Sequence, residues 1–235
     1  MCGRYASSRG AEHLVDHFEV DEPPEETLPP SWNVAPTDPT WVVAVRSGTR
    51  RLAVARWGLV PSWAQPGRTV GRGRGPLINA RRETAATAPA FRSAFARRRC
   101  LVPADGYYEW QQQGAHKQPW FLSARDGGPL AMAGLYEVRK ESEEPAAPLQ
   151  WSCTVLTTSA PDELGEIHDR TPLLVPREHW RRWLDPEVEH PGEDLLVPGT
   201  PGVLDAWPVG PAVGNVRNDG PELVAPVEAA PTLLE

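Results

Sequence analysis

Short β-rich runs follow one another along this chain with few helical stretches between them. Residues 41–46, 52–57, 120–124, 130–135 and 152–157 are such runs, each bounded by turn residues. Helical spacing of apolar residues is confined to residues 11–18, 90–97 and 177–184, the last starting after Pro176. Strands that succeed strands in this way argue against a parallel βαβ sheet. They predict an α+β fold with a curved, mostly antiparallel β core and flanking short helices. The 27 prolines are spread through turns, and there is no internal repeat. Acidic loops at residues 21–30 and 141–148 and a Gly/Arg-rich loop at 65–76 do not separate two complete sets of elements. One domain over residues 1–235 is expected, with the segment after about 220 as a loose tail. No apolar run approaches the roughly 18 residues of a membrane span. The start, MCGRYASSRG, has no apolar signal region, so a cytoplasmic protein is expected.

Charge is uneven. The net charge is −7, yet residues 46–100 hold thirteen arginines, no lysine and a single acid, Glu83. That segment is +12 and the other 180 residues carry −19. Arginine forks suit phosphate oxygens, so the segment is either a footprint for a polyanion or a set of solvated faces paired with acids elsewhere.

The three cysteines, Cys2, Cys100 and Cys153, are an odd count without a signal peptide, which fits a reducing compartment rather than a disulfide framework. No CxxC, HxH or HExxH spacing occurs, so no metal or other cofactor is expected. Cys2 is the most informative residue. Methionine is normally removed before a small second residue, leaving a free α-amine and a thiol on adjacent carbons. The amine titrates at about 7.7–8.0, so part of it is neutral near pH 7. A neutral amine condenses with an aldehyde to an imine, and the thiol can then close a thiazolidine. The same terminus also suits an N-terminal-nucleophile hydrolase or amidotransferase, in which the thiolate attacks a carbonyl with its own amine as base. It also suits a buried, inert cysteine.

Several segments, taken together, resemble the SRAP family of SOS-response-associated peptidases, which act on abasic sites in single-stranded DNA. They are CGRY from Cys2, WNVAP from Trp32, WGLVPSW from Trp57, INARRET from Ile78, FRSAF from Phe91, PADGYYEW from Pro103, TVLTTSA from Thr154, IHDRTPLLV from Ile167 and AVGNVRNDG from Ala212. They span nearly the whole chain. The resemblance implies a single α+β domain with a basic groove leading to Cys2, and a monomer that crosslinks itself to the opened aldehyde of an abasic site. By the same resemblance Glu109 is the catalytic carboxyl, His168 the acid that donates to the departing sugar oxygen, and Asn79 the amide that binds the opened sugar or fixes Cys2. Arg4, Arg81 and Arg170 are implied phosphate contacts. Asn33, Pro36, Trp63 and Trp110 are implied DNA contacts, with stacking worth about 1–3 kcal/mol per base. Thr158 is implied to line the site.

Two departures stand out. Residues 85–91, AATAPAF, carry no charge where the family often has a second basic residue, and Arg170 is followed by Thr171-Pro172. Arg68, Arg72 and Arg74 of the long loop offer compensation. A hydrolase or amidotransferase, and a non-covalent single-strand-binding module, remain the competing classes. Plain binding has no need of the Cys2, Asn79, Glu109 and His168 motifs.

Overall fold

The computed structural model describes residues 2–64, 76–140, 147–160, 164–196 and 203–228. The loop arginines Arg68, Arg72 and Arg74, most of the acidic loop at 141–148 and residues 229–235 lie outside the described residues.

Among the described residues twelve strands form two sheets, and the short helices lie against them. The larger sheet is built on β3 (Pro39–Arg46), β4 (Thr49–Trp57), β6 (Arg99–Ala104), β9 (Leu130–Lys140) and β10 (Leu149–Ser159). β3 pairs with β4 and β6, β6 with β9, and β9 with β10, all antiparallel. β10 then pairs parallel with β4, Ser152 opposite Arg56, and the ring closes. Closure leaves these strands no free edge to protect. At Gly134, between β6 and β10, an added Cβ would meet Cys100 Sγ at 2.8 Å and the Thr154 carbonyl at 3.1 Å, so close approach there needs glycine. The β3–β4 hairpin turns on Ser47 (φ 54°) and Gly48 (φ 79°), the left-handed pair that a two-residue turn of type I′ requires.

The second sheet is open, in the order β12 (Leu204–Pro208), β8 (His116–Ala124), β7 (Gly106–Gln113), β1 (Tyr5–Ser7), β2 (Ser31–Val34), antiparallel throughout. Side-chain alternation sorts the ring strands' residues into two cores. Trp41, Val43, Leu101, Ala133 and Leu156 pack with α1 (Ala11–His17), α3 (Arg92–Arg97) and α5 (Trp180–Leu184). Val42, Ala44, Cys100, Val102, Met132 and Cys153 pack instead with Cys2, Tyr5, Tyr107 and Leu122 of the open sheet. With both faces covered, β3 and β9 read as continuous apolar runs.

The α+β fold with a mostly antiparallel β core is as expected from sequence. The helix expected at 90–97 begins at Arg92, and that at 177–184 begins as a 3₁₀ turn, Arg177–His179. The loose tail is corrected as far as residue 228. Leu223 is buried, the Trp207 indole donates to the Val224 carbonyl at 2.8 Å, and Val209 bridges Pro226. Among the described residues no helix is long and apolar enough to cross a membrane. No group of three metal-ligating side chains occurs among them either.

Candidate active site

β10 is longer than the ring needs, and its C-terminal half assembles the site. On one edge β5 (Asn79–Arg81) runs parallel to it, Asn79 opposite Val155 and Arg81 opposite Thr157. On the other edge β11 (Arg170–Pro172) runs antiparallel, Arg170 opposite Ser159 and Thr171 opposite Thr158. Asn79 Nδ2 donates to the Cys2 carbonyl at 2.7 Å. Its Oδ1 is buried and has no hydrogen-bond partner among the described residues.

Cys2 leads into β1, which pairs with β7 in the register Tyr5–Tyr107 and Ala6–Gly106. The Tyr108 N–H donates to the Arg4 carbonyl at 3.0 Å, and the same register carried outward sets Gly3 opposite Glu109. Cys2 is buried, and burial, with Glu109 adding to it, pushes its thiol well above the ordinary range. Glu109 is 3% exposed, and burial pushes its carboxyl up to about 7. His168, just after α4 (Leu164–Ile167), places Nε2 4.0 Å from Glu109 Oε2. The Arg170 N–H donates to His168 Nδ1 at 3.0 Å, which assigns the neutral ring's proton to Nε2, facing Glu109. Asp169 Oδ1 also lies 2.9 Å from Nδ1, but that carboxylate is 85% exposed, and we assign it to the protonated ring only. Burial lowers the His168 pKa, so the neutral form prevails at pH 7. Tyr107, Glu109, Leu122, Ile167, His168 and Thr171 line a narrow cleft here, with the Tyr107 hydroxyl 2.8 Å from Thr171 Oγ1. A half-protonated carboxyl beside a neutral imidazole is a pair able to pass protons in either direction near neutrality.

Cys2, Asn79, Glu109 and His168 are thus brought together, with Thr158 fully buried in the adjoining strand and its Oγ1 without a partner among the described residues. The residues singled out as DNA contacts fall into two groups. Arg81 is exposed and has no ion pair among the described residues, Trp63 is 63% exposed with its indole donating to the Pro89 carbonyl at 3.4 Å, and Pro36 and Trp110 are half-buried. Arg4, Asn33 and Arg170 point inward. Arg4 Nη1 donates to Asn33 Oδ1 and to the Val213 carbonyl, both at 2.8 Å. Asn33 Nδ2 donates to the carbonyls of Asn218 (2.8 Å) and Asn215 (3.1 Å). The two side chains tie down the AVGNVRND segment, whose tip exposes Val216 and Arg217. Arg170 is held by Glu83 and Thr157.

The sequence motifs did not single out Glu83 or Thr157 as partners of Arg170. Only Glu83 gave a signal, as the lone acid among thirteen arginines. That arginine segment is not one patch. Arg50 pairs with Glu19, Arg51 with Glu22, Arg98 with Glu137 and Arg97 with Glu189, while Arg99 is buried.

Comparison with known proteins gives the family and the fold. A family model described as SOS response associated peptidase (SRAP) matches residues 1–216. Abasic site processing protein YedK of Escherichia coli is 34% identical over 236 residues, covering 97% of this chain and 100% of the relative. Abasic site processing protein HMCES of Gallus gallus is 31% identical over 267 residues, covering 97% of this chain and 78% of the relative. A crystal structure of a Bacteroides thetaiotaomicron protein has the same fold, with a TM-score of 0.81 at 21% identity over 96% of this chain and all of the other.

Proposed function

We propose that this chain, which belongs to the SOS response associated peptidase (SRAP) family, processes abasic sites in DNA by capturing the opened sugar on Cys2. The observation that carries the reading is the convergence of Asn79, Glu109 and His168 on the residue that becomes the amino terminus when Met1 is removed. His168 Nε2–H passes its proton to the sugar ring oxygen as the closed form opens to the aldehyde, and the Glu109 carboxylic acid returns a proton to Nε2 and takes that of the anomeric hydroxyl in its place. The Cys2 α-amine then adds to the aldehyde carbon, and the Glu109 carboxylic acid protonates the resulting hydroxyl, which leaves as water. The thiol adds to the iminium carbon, and its proton returns to the Glu109 carboxylate, which restores the acid and leaves the ring nitrogen neutral. The product is a thiazolidine, formed with loss of one water. Asn79 Oδ1 is available to accept from a sugar hydroxyl. The buried thiol, kept protonated, favours this order over thiolate attack on an amide, and so favours capture over an N-terminal-nucleophile hydrolase. The DNA is single-stranded, the protein acts as a monomer in the cytoplasm, and Arg81 and Trp63 contact the strand beside the lesion.

The test is incubation with single-stranded DNA carrying one abasic site, followed by denaturing electrophoresis and intact-mass measurement. The expected adduct has the mass of protein lacking Met1 plus DNA minus one water. A protein shown to begin at Cys2 that gives no covalent band sinks the reading.

Glu109 also links the site to stability. Its folded carboxyl titrates near 7 against an ordinary value of 4.5, so the folded state holds the proton more tightly than the unfolded one. Stability therefore falls as pH rises from about 4.5 to about 7, by on the order of 3 kcal/mol, and the penalty is complete above that. Glu109→Gln mimics the protonated acid. It is expected to remove this slope, to raise the melting temperature at pH 8 relative to the parent, and to slow capture. Parallel pH–melting curves for the two proteins would refute the burial argument.

A further inference from the structure

Arg170 performs two tasks at once. Its backbone N–H donates to His168 Nδ1, and its side chain lies fork to fork on Glu83, with Nη1 2.6 Å from Oε1 and Nη2 3.0 Å from Oε2. Nη2 also donates to the Thr157 carbonyl at 2.6 Å. The side chain is 13% exposed, and its Nε is buried without a hydrogen-bond partner among the described residues. Glu83 reaches it from α2 (Arg82–Ala85), which follows β5 without a break. Two parallel hydrogen bonds fix the plane of a guanidinium as well as its position. The third, to Thr157, fixes it against β10. Arg170 therefore joins three segments, and the residue it anchors is two positions from His168.

We propose that Glu83 is a positioning residue for proton transfer: by locking Arg170 against β10 it holds the turn at residues 168–170, and so keeps the His168 proton on Nε2, toward Glu109. The kinetic consequence rests on the capture reaction proposed above; the tautomer does not. Electrostatics alone assigns Glu83 the opposite effect. Removing an acid from a DNA-binding face strengthens binding and leaves the chemistry alone. Locking assigns it slower chemistry with binding intact, because a shift of the catalytic group by a fraction of an ångström is costly.

The experiment measures single-turnover crosslinking against concentration of abasic single-stranded DNA for the parent, Glu83→Ala, Glu83→Gln, Glu83→Asp, Arg170→Ala and the Glu83→Ala/Arg170→Ala double variant. The expected result is a rate at saturating DNA lowered about tenfold or more in Glu83→Ala and Glu83→Gln, with the half-saturating DNA concentration unchanged or lower. Glu83→Asp, which keeps the carboxylate, recovers part of the rate. The double variant is no slower than the slower single variant, because both substitutions break one link. In DNA-free protein the ¹⁵N spectrum of the His168 ring shows the Nε2–H tautomer in the parent and a mixture of tautomers in Glu83→Ala. Parental rates in Glu83→Ala and Glu83→Gln overturn the assignment, as does a loss seen only as weaker DNA binding, or a ring spectrum that does not change. If the parent forms no crosslink, the capture reading fails instead, and the ring spectrum alone decides the role of Glu83.

Discussion

Cys2→Ala protein is expected to form no heat-stable adduct with abasic single-stranded DNA. The variant keeps a small second residue, so Met1 is still removed and the α-amine is still present. What it lacks is the thiol, one carbon from the amine, that closes the ring. An intramolecular nucleophile of this kind acts at an effective concentration of about 10⁵ M or more, so its loss leaves an imine that water reverses. We expect stable adduct to fall by at least about two orders of magnitude. Borohydride reduction should still trap the imine, and affinity for the strand should be largely kept, because the phosphate and base contacts are elsewhere. A stable, unreduced crosslink in Cys2→Ala would show that another nucleophile does the work. Loss of the borohydride-trapped species as well would mean that the thiol attacks first.

Arg99→Ala is expected to be the most destabilising single substitution outside the site. Arg99 is a charged side chain at the start of β6, 2% exposed, and among the described residues no carboxylate accepts from it. Its five N–H groups are spent on backbone carbonyls. Nη1 donates to Phe95 (2.8 Å) and Ala96 (2.9 Å) at the end of α3, Nε to Trp183 (2.6 Å) in α5, and Nη2 to Asp185 and Val188 just beyond it. The carbonyls of Phe95, Ala96 and Trp183 are ones that helix ends leave without intrahelical donors, and those of Asp185 and Val188 belong to the turn after α5. One guanidinium thus caps two helices at once, and its pKa is lowered to about 10 by burial. Truncation strands several buried acceptors and opens a cavity, for a cost of about 3–5 kcal/mol. For a chain of this size that lowers the melting temperature by on the order of 10 °C. Arg99→Lys should not recover it, since a point ammonium cannot span both helix ends. A thermal unfolding scan that places Arg99→Ala within about 1 kcal/mol of the parent would refute the double-cap account.

The sheet core was legible because its strands are buried on both faces. Runs such as WVVAV and LAMAGLY announce themselves without any knowledge of their partners. β6 escaped notice because it opens on Arg99 and carries Pro103, and a buried cation capping helices has no local signature. β1, β5 and β11 have three residues each, too few for alternation to show, and they exist only through pairing with β7 and β10. In the site, Cys2 was legible from its position in the chain, and Asn79, Glu109 and His168 from ordered motifs. The orientation of the arginines was not. That Arg4 Nη1 donates to the Val213 carbonyl, 209 residues away, and that the Arg170 fork lies on Glu83 could not be read locally. Sequence separations of that size lie beyond any local pattern.

β10 pairs with β4 and β9 through its first half and with β5 and β11 through its second. Asn79 and the turn that carries His168 therefore hang on a strand that is also a stave of the closed ring. No hinge separates the two roles, and a slip of one residue would turn Thr157 and Thr158 over and open the ring in the same movement. Amide protons at residues 155–157 should exchange with solvent only when the whole molecule unfolds, and the chemistry has no softer melting transition of its own.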